Sequence, residues 1–420
     1  MKIQDMDEAN KILMGFVPLA RHITGKDVTV ERTRPLLKAA GNPHERLKII
    51  HVAGTSGKTS TSYYIASLIK ATGSKVGLTV SPHIDSVTER IQVNGAPLSD
   101  ADFCSYLGDF MEIINELNPT YFELMIAFAF WVFDRLKVKY VVVETGLGGL
   151  HDSTNIAERP DKVCVITDIG FDHMNILGNT LRSIASQKAG IIHAYNHVIM
   201  YDQSPEIMNA MFKQTNQEHA TLDLLNEAEL DDEFEPAILG LPLFQRRNWL
   251  LARAVAQYVI VRDNLPRFDT TAALKSMHIR IPGRMDTEKF GTKKIVMDGA
   301  HNHQKMTAFV GSFKAEYPGQ KAAVLLAVKD GKDYQPVIDD LLPITSQFIL
   351  SSFGGTQDLP VYSVDPQLIA SYCDKVGFSS YEIIKNAAEA YAKLRSLPDD
   401  LLVVTGSLYL LGQVRVSISQ

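Results

Sequence analysis

The chain has 420 residues, 45% hydrophobic and 21% charged, with a formal net charge of -6. At ~150 residues per domain this is material for two or three domains with real cores, and a mildly acidic balance gives no electrostatic case for general nucleic-acid binding. The three cysteines, Cys104, Cys164 and Cys373, lie far apart and make neither a zinc motif nor a disulfide framework. The opening "MKIQDMDEANKILMGF" lacks an apolar secretory core and a cleavage site. The expectation is a cytoplasmic protein that engages no membrane and no nucleic acid.

In chain order, "LKIIHVAG" (47–54) predicts a strand that runs into "GTSGKTS" (54–60) and then a helix with Ile65, Leu68 and Ile69 on one face. The loop Gly54, Thr55, Ser56, Gly57, Lys58, Thr59, Ser60 is close to the phosphate-binding pattern G-x-x-x-x-G-K-[ST], but Val52 fills the position of its first glycine. Such a turn offers backbone N–H groups and a positive helix end to phosphate oxygens. Lys58 would then hold the β- and γ-phosphates, with the following hydroxyl on Mg²⁺. The plainer reading is an ordinary strand–helix turn with a capping hydroxyl.

"SKVGLTV" (74–80) predicts a second strand ending in Ser81 and His83, which alone are only a turn. "LMIAFAFWVF" (124–133) is too short to span a bilayer and predicts a buried helix. "VKYVVVETGLGG" (138–149) ends a strand on Glu144, a carboxylate able to ligate Mg²⁺ or simply to cap the glycine turn. "DKVCVITDIGFDH" (161–173) repeats the theme and ends on His173, an uncommon Mg²⁺ ligand that would otherwise bond Asp172 or backbone. A helix is expected from about Thr180 to Ala189, closed by Gly190, and on physical grounds Lys188 in its last turn complements the negative helix end. Asn248 follows "FQRR" at the expected start of a further helix.

The polar stretch "RIPGRMDTEKFGTKK" (280–294), broken by Pro282, Gly283 and Gly291, reads as a linker carrying Arg284. After it, "KIVMDGAHN", "KAAVLLAV", "SQFILSSF" and "DLLVVTGS" predict strands ending in polar turns, the first presenting Asp298 and His301. Unalternating β-branched runs indicate strands buried on both faces of a parallel sheet, whose following turns bind ligands. The expected fold is α/β, with a large N-terminal P-loop ATPase-type domain (1–285) of mostly parallel sheet. A smaller Rossmann-like domain (286–420) follows, and a ligand is expected in the cleft between them.

Taken in order, seven stretches make the chain resemble the ATP-dependent amide ligases of the Mur superfamily: "ERTRPLLKAAGNP…IIHVAGTSGKTS", "SPHIDSVTERIQVNG", "YFELMIAFAF", "VVETGLGGLHDSTNI", "ITDIGFDHMNILGNTLRSIASQKAGII", "RIPGRMD" and "VMDGAHN". Within it the chain most resembles the folylpolyglutamate synthase/dihydrofolate synthase family, from about residue 29 to 310 and more weakly beyond. The short loop is the regular form in that superfamily. The resemblance implies Mg²⁺, with two sites, on a loop hydroxyl (Thr59 or Ser60), Ser81, Glu144 and His173, and a carbamylated Lys188 as a further metal ligand. It implies nucleotide contacts from Asn248, Arg284, Asp298 and His301, and catalytic roles for Lys58, His173 and Lys188. The acceptor would lie against Thr29, Val30, His83, Tyr121, Phe122, Glu123, His151, Asp152 and Ser153.

The implied reaction is ATP-dependent addition of L-glutamate, through an acyl phosphate, to dihydropteroate, a folate, or both, by a monomeric enzyme. This chain departs from the family pattern at Thr59-Ser60, at Leu150-His151 where Arg-Leu is usual, at His303, and at Thr29-Val30. The departures fall more on the acceptor side than on the phosphate side. They keep open a Mur-type ligase with a non-folate carboxylate acceptor. An ATP-binding switch without ligase activity, or a silent paralogue, are the further alternatives.

Overall fold

A computed structural model describes residues 1–18, 29–226 and 234–419. The chain divides into two compact units, one of Met1–Leu241 with Gln245–Ile279, the other of Pro242–Phe244 with Arg280–Gln420.

The first unit is built on β1 (Lys48–Ala53), β2 (Val76–Thr79), β3 (Gln92–Val93), β4 (Ala96–Pro97), β5 (Tyr140–Glu144), β6 (Val163–Ile166), β7 (His197–Tyr201) and β8 (Thr221–Leu225). They form one sheet in the order β4-β3-β2-β5-β1-β6-β7-β8. The pairs from β2 to β8 are parallel, and only the short β3 and β4 run antiparallel at one edge. β2, β5 and β6 are buried throughout and β1 nearly so, as their unbroken β-branched runs require when helices cover both faces. One of those helices, Tyr121–Arg135, is apolar almost all round. It packs Phe128 edge-on against Phe103 and near Phe110 and Trp131, an aromatic core for that face of the sheet.

The strand order places a switch point at β1. The chain leaves β1 for β2 on one side, returns through β5, and crosses to β6 on the other. β5 and β6 both flank β1, with Val52 opposite Glu144 on one side and Ala53 opposite Ile166 on the other. The turns leaving these three strands therefore gather at one edge of the sheet, where open α/β folds bind their ligands.

The second unit carries β9 (Asp286–Phe290), β10 (Lys293–Asp298), β11 (Ala322–Leu326), β12 (Thr345–Leu350), β13 (Gly354–Thr356), β14 (Pro360–Tyr362), β15 (Tyr381–Ile383) and β16 (Leu401–Thr405). Six of them make a sheet in the order β15-β12-β11-β16-β10-β9, parallel except for β9, while β13 and β14 pair as a separate hairpin.

Two expectations are corrected. The stretch read as a linker contains β9, an antiparallel edge strand joined to β10 through Gly291 at φ +61°. Its polar sequence reflects an edge position with four of five residues exposed or half-exposed and Asp286 held inside by Arg415. Asn248 does not start a helix either; the helix runs Leu243–Asp263, so Asn248 lies in its second turn. No helix among the described residues is long and apolar enough to cross a membrane.

Candidate active site

The loop after β1 explains its own glycines. Val52 is fully buried within β1 and takes no part in the turn. Gly54 has φ +154°, and a Cβ there would lie 1.8 Å from Thr167 Oγ1. Gly57 has φ +90°, and a Cβ there would lie 2.4 Å from Asn248 Oδ1. Both positions exclude a side chain, because Thr167 and Asn248 already fill the space it would take. The Thr55 and Ser56 N–H groups donate to the Asp168 carbonyl at 2.8 and 3.1 Å, which pins the loop to the end of β6. Asp168 is held in turn by Arg247, whose guanidinium pairs with its carboxylate and lies 3.8 Å from the Tyr201 ring centre. The helix Lys58–Ala71 starts here, and the N–H groups of its first turn have no acceptor within the helix, which suits an anion. Lys58 Nζ and Lys188 Nζ both donate to the Gly54 carbonyl, at 3.0 and 2.8 Å. Lys188 is buried rather than placed at the surface to offset a helix end.

Glu144, at the end of β5, is 3% exposed. Its Oε1 accepts from Thr59 Oγ1 at 2.8 Å and its Oε2 lies 3.4 Å from the Ser81 N–H. Thr59 rather than Ser60 is thus the hydroxyl against the carboxylate; Ser60 is buried in the helix. His173 follows β6 at φ +50°, with its backbone N–H on Asp172 Oδ1 and its ring partly exposed. Among the described residues no three of His, Cys, Asp and Glu cluster as a metal site. The Thr59 hydroxyl and the buried Glu144 carboxylate that do converge suit Mg²⁺, which takes one or two protein carboxylates beside phosphate oxygens.

The remaining candidates in this unit are built from several helix starts. His83 Nδ1 accepts from Arg90 Nε at 2.8 Å, so the ring proton sits on Nε2. Burial, aided by the Arg90 charge, pushes His83 down to about 3 and keeps the ring neutral. Arg90 also lies over the Tyr121 ring, 5.2 Å from its centre. Glu123 caps its own helix by accepting the Thr120 N–H and takes Arg32 Nε at 2.8 Å. Phe122 presses on Gly146 so closely that a Cβ there would meet its ring tip at 2.4 Å. Thr29 caps the short turn Val30–Arg32. His151 is exposed, whereas Asp152 and Ser153 are buried. Asp152 turns inward: Oδ2 accepts the Leu147 N–H at 2.6 Å, and Oδ1 accepts the Thr154 N–H and hydroxyl.

In the second unit, Asp298 ends β10 and accepts the N–H groups of Met285 and Ala300 at 2.9 and 2.8 Å. Burial raises its pKa to about 6 against the opposing pull of Arg284. Arg284 Nη1 donates to the Gly283 carbonyl. His301 Nδ1 faces the Gly299 carbonyl and its Nε2 faces Lys305 Nζ, which assigns the proton to Nδ1.

Thus Thr59, Ser81 and Glu144 meet, and Lys58 and Lys188 meet at Gly54. The His173 ring stands 3.8 Å from the Asp172 carboxylate. Sequence reasoning passed over Thr167, Asp168, Arg247, Arg90 and Arg32. Asp168 alone carried a signal, as an acid at the end of a predicted strand.

Residues 52–238 match the family model described as Mur ligase middle domain, and residues 283–417 match that of Dihydrofolate synthetase, C-terminal domain. The folylpolyglutamate synthase of Lacticaseibacillus casei is 30% identical over 415 residues, covering 92% of this chain and 94% of that protein. The dihydrofolate synthase/folylpolyglutamate synthase of Bacillus subtilis is 29% identical over 414 residues, covering 91% and 93%. Mycobacterium tuberculosis folylpolyglutamate synthase, solved in complex with ADP, superimposes with a TM-score of 0.85 at 23% identity, covering 99% of this chain and 98% of that one.

Proposed function

The chain belongs to the folylpolyglutamate synthase/dihydrofolate synthase family, and we propose that it joins L-glutamate to dihydropteroate, a folate, or both, using ATP. The observation that carries this reading is the meeting of a glycine-required loop, its Lys58 and Thr59, and the buried Glu144 at the ends of neighbouring strands. ATP binds with its phosphates against the loop and first turn of the helix. Lys58 leaves the Gly54 carbonyl for the β- and γ-phosphates and neutralises charge as the γ-phosphoryl group passes to the acceptor carboxylate. The glutamate amine then attacks the acyl phosphate carbon; the amide forms, the C–O bond to phosphate breaks, and inorganic phosphate leaves. Thr59, Ser81 and Glu144 would hold Mg²⁺, which would offset the charge of the phosphates when bound. His173 and a carbamylated Lys188 are proposed as ligands of a second ion. Asn248, Arg284, Asp298 and His301 are proposed nucleotide contacts.

The acceptor lies against Thr29, Val30, His83, Tyr121, Phe122, Glu123, His151, Asp152 and Ser153. Arg90 fixes the His83 proton on Nε2. The test offers Mg-ATP and L-glutamate with dihydropteroate or tetrahydrofolate separately, and reads glutamylated product by mass. Product with at least one acceptor is expected. No product with either, alongside turnover of another carboxylate, would sink the folate assignment. Native mass measurement in bicarbonate buffer reads the carbamate on Lys188.

A further inference from the structure

The turn after β5 rests on a buried chain of polar groups that the nucleotide loop does not need. Asp152 Oδ1 accepts the Thr154 hydroxyl, and that hydroxyl has only one proton to give. Thr154 Oγ1 must therefore accept from His51 Nε2, which stands 2.9 Å away. The imidazole proton is thereby placed on Nε2, and burial keeps the ring neutral. The same Nε2 lies 3.1 Å from Thr145 Oγ1, next in sequence to Glu144. Nδ1 of His51 has no hydrogen-bond partner among the described residues, so Nε2 is the ring's polar anchor. His51 sits in the middle of β1, opposite Val143 of β5 and Cys164 of β6. At the far end of the chain, Asp152 Oδ2 holds the Leu147 N–H inside the Gly146–Gly149 turn. Four donors on this route point toward one buried carboxylate: the Leu147 and Thr154 N–H groups, the Thr154 hydroxyl, and the imidazole N–H behind it.

We propose that His51 and Thr154 are positioning residues that, through Asp152, hold the Gly146–Ser153 turn in the shape the acceptor requires. The turn carries His151 and Ser153 and abuts Phe122, so its shape bears on the acceptor. The inference rests on the proposed reaction for its kinetic consequence, though not for its structural one. Thr154→Val and His51→Phe each remove one link while keeping most of the shape. Thr154→Ser keeps the hydroxyl and serves as the conservative control.

The experiment follows peptide-resolved amide exchange in the full chain over residues 145–155 and 54–60, together with the KM values for acceptor and ATP. In Thr154→Val and His51→Phe, exchange over 145–155 and the acceptor KM are expected to rise about tenfold, the effect of one buried hydrogen bond. Exchange over 54–60 and the ATP KM should stay near the parent, and Thr154→Ser should behave as the parent throughout. Unchanged exchange over 145–155, equal acceleration in both segments, or a serine variant as loose as the valine variant would overturn the proposal. So would loss of folding in both removal variants, because the relay would then belong to the general scaffold. If the parent glutamylates neither acceptor, the functional reading falls while the exchange result still decides the relay.

Discussion

The turns that leave β1 and β5 begin from adjacent strands in one register, yet they are held by different means. After β1, Gly54 and Gly57 adopt backbone angles and contacts that forbid a side chain, and the loop is tied down through main-chain donors to Asp168. After β5, the glycines are pressed by Phe122 and by the helix Leu181–Ala189, and a buried carboxylate gathers the backbone from within. The first loop spends its Thr55 and Ser56 N–H groups on the Asp168 carbonyl and leaves those of the first turn of the helix Lys58–Ala71 for phosphate. A loop that offers side chains can spend its interior N–H groups on an aspartate. The first is intolerant of any change at its glycines; the second should be intolerant of changes at residues that never touch a ligand.

The largest expected effect is at the first loop. Lys58→Ala should lower kcat for glutamate-dependent ADP release by about 10²–10³, the scale of losing one charge-stabilising donor, with little change in melting temperature. Unaltered ADP release in a coupled assay would remove Lys58 from the chemistry and break the comparison at its base.

The carboxylate device recurs in the second unit, where Asp298 accepts the Met285 and Ala300 N–H groups. Its folded pKa of about 6 stands above the ordinary 3.8, so its contribution to stability is full below about pH 3.8 and is lost as pH rises through 6. Between pH 4 and 7 the stability difference should shift toward Asp298→Asn by about 2 kcal/mol, measured by denaturant melts of both proteins. Parallel pH curves would mean that the carboxylate is not strained by its burial.

Gly57→Ala should lower kcat/KM for ATP by about 10–100-fold through left-handed strain and contact with Asn248, while leaving the acceptor KM in place. Because Asn248 is itself a proposed nucleotide contact, Asn248→Ala alone should also lower kcat/KM for ATP, and the double variant should lose less than the sum of the two. A smaller effect belongs to the other turn: Phe122→Ala should raise the acceptor KM about fivefold with the ATP KM unchanged. Equal effects on both substrates would merge the two turns into one site element.

Much of this arrangement was legible in the sequence, for reasons that also mark where legibility stopped. β1, β5 and β6 announce themselves because strands buried on both faces are nearly continuous in Val and Ile, and each ends on a polar turn. β9 was hidden because an edge strand buries little, so "DTEKF" looks like a linker. Arg247 and Asp168 lie 79 positions apart, and no local spacing reports such a pairing. Arg90 and Thr154 were equally silent, since their roles follow from the fold placing His83 and Asp152 beside them. His51 was the exception in kind: one imidazole inside an apolar strand run is a visible irregularity, but only the three-dimensional neighbours give it a purpose.

The carbonyl of Gly54 has two lone pairs, and two amines fill them. Lys58 can therefore let go without stripping the oxygen bare, because Lys188 Nζ also donates to it. A buried acceptor left without any donor would cost about 1–3 kcal/mol, a charge against nucleotide arrival that this shared anchorage avoids. The loop is in effect moored by two lines, and casting off one to meet the phosphates leaves it still tied.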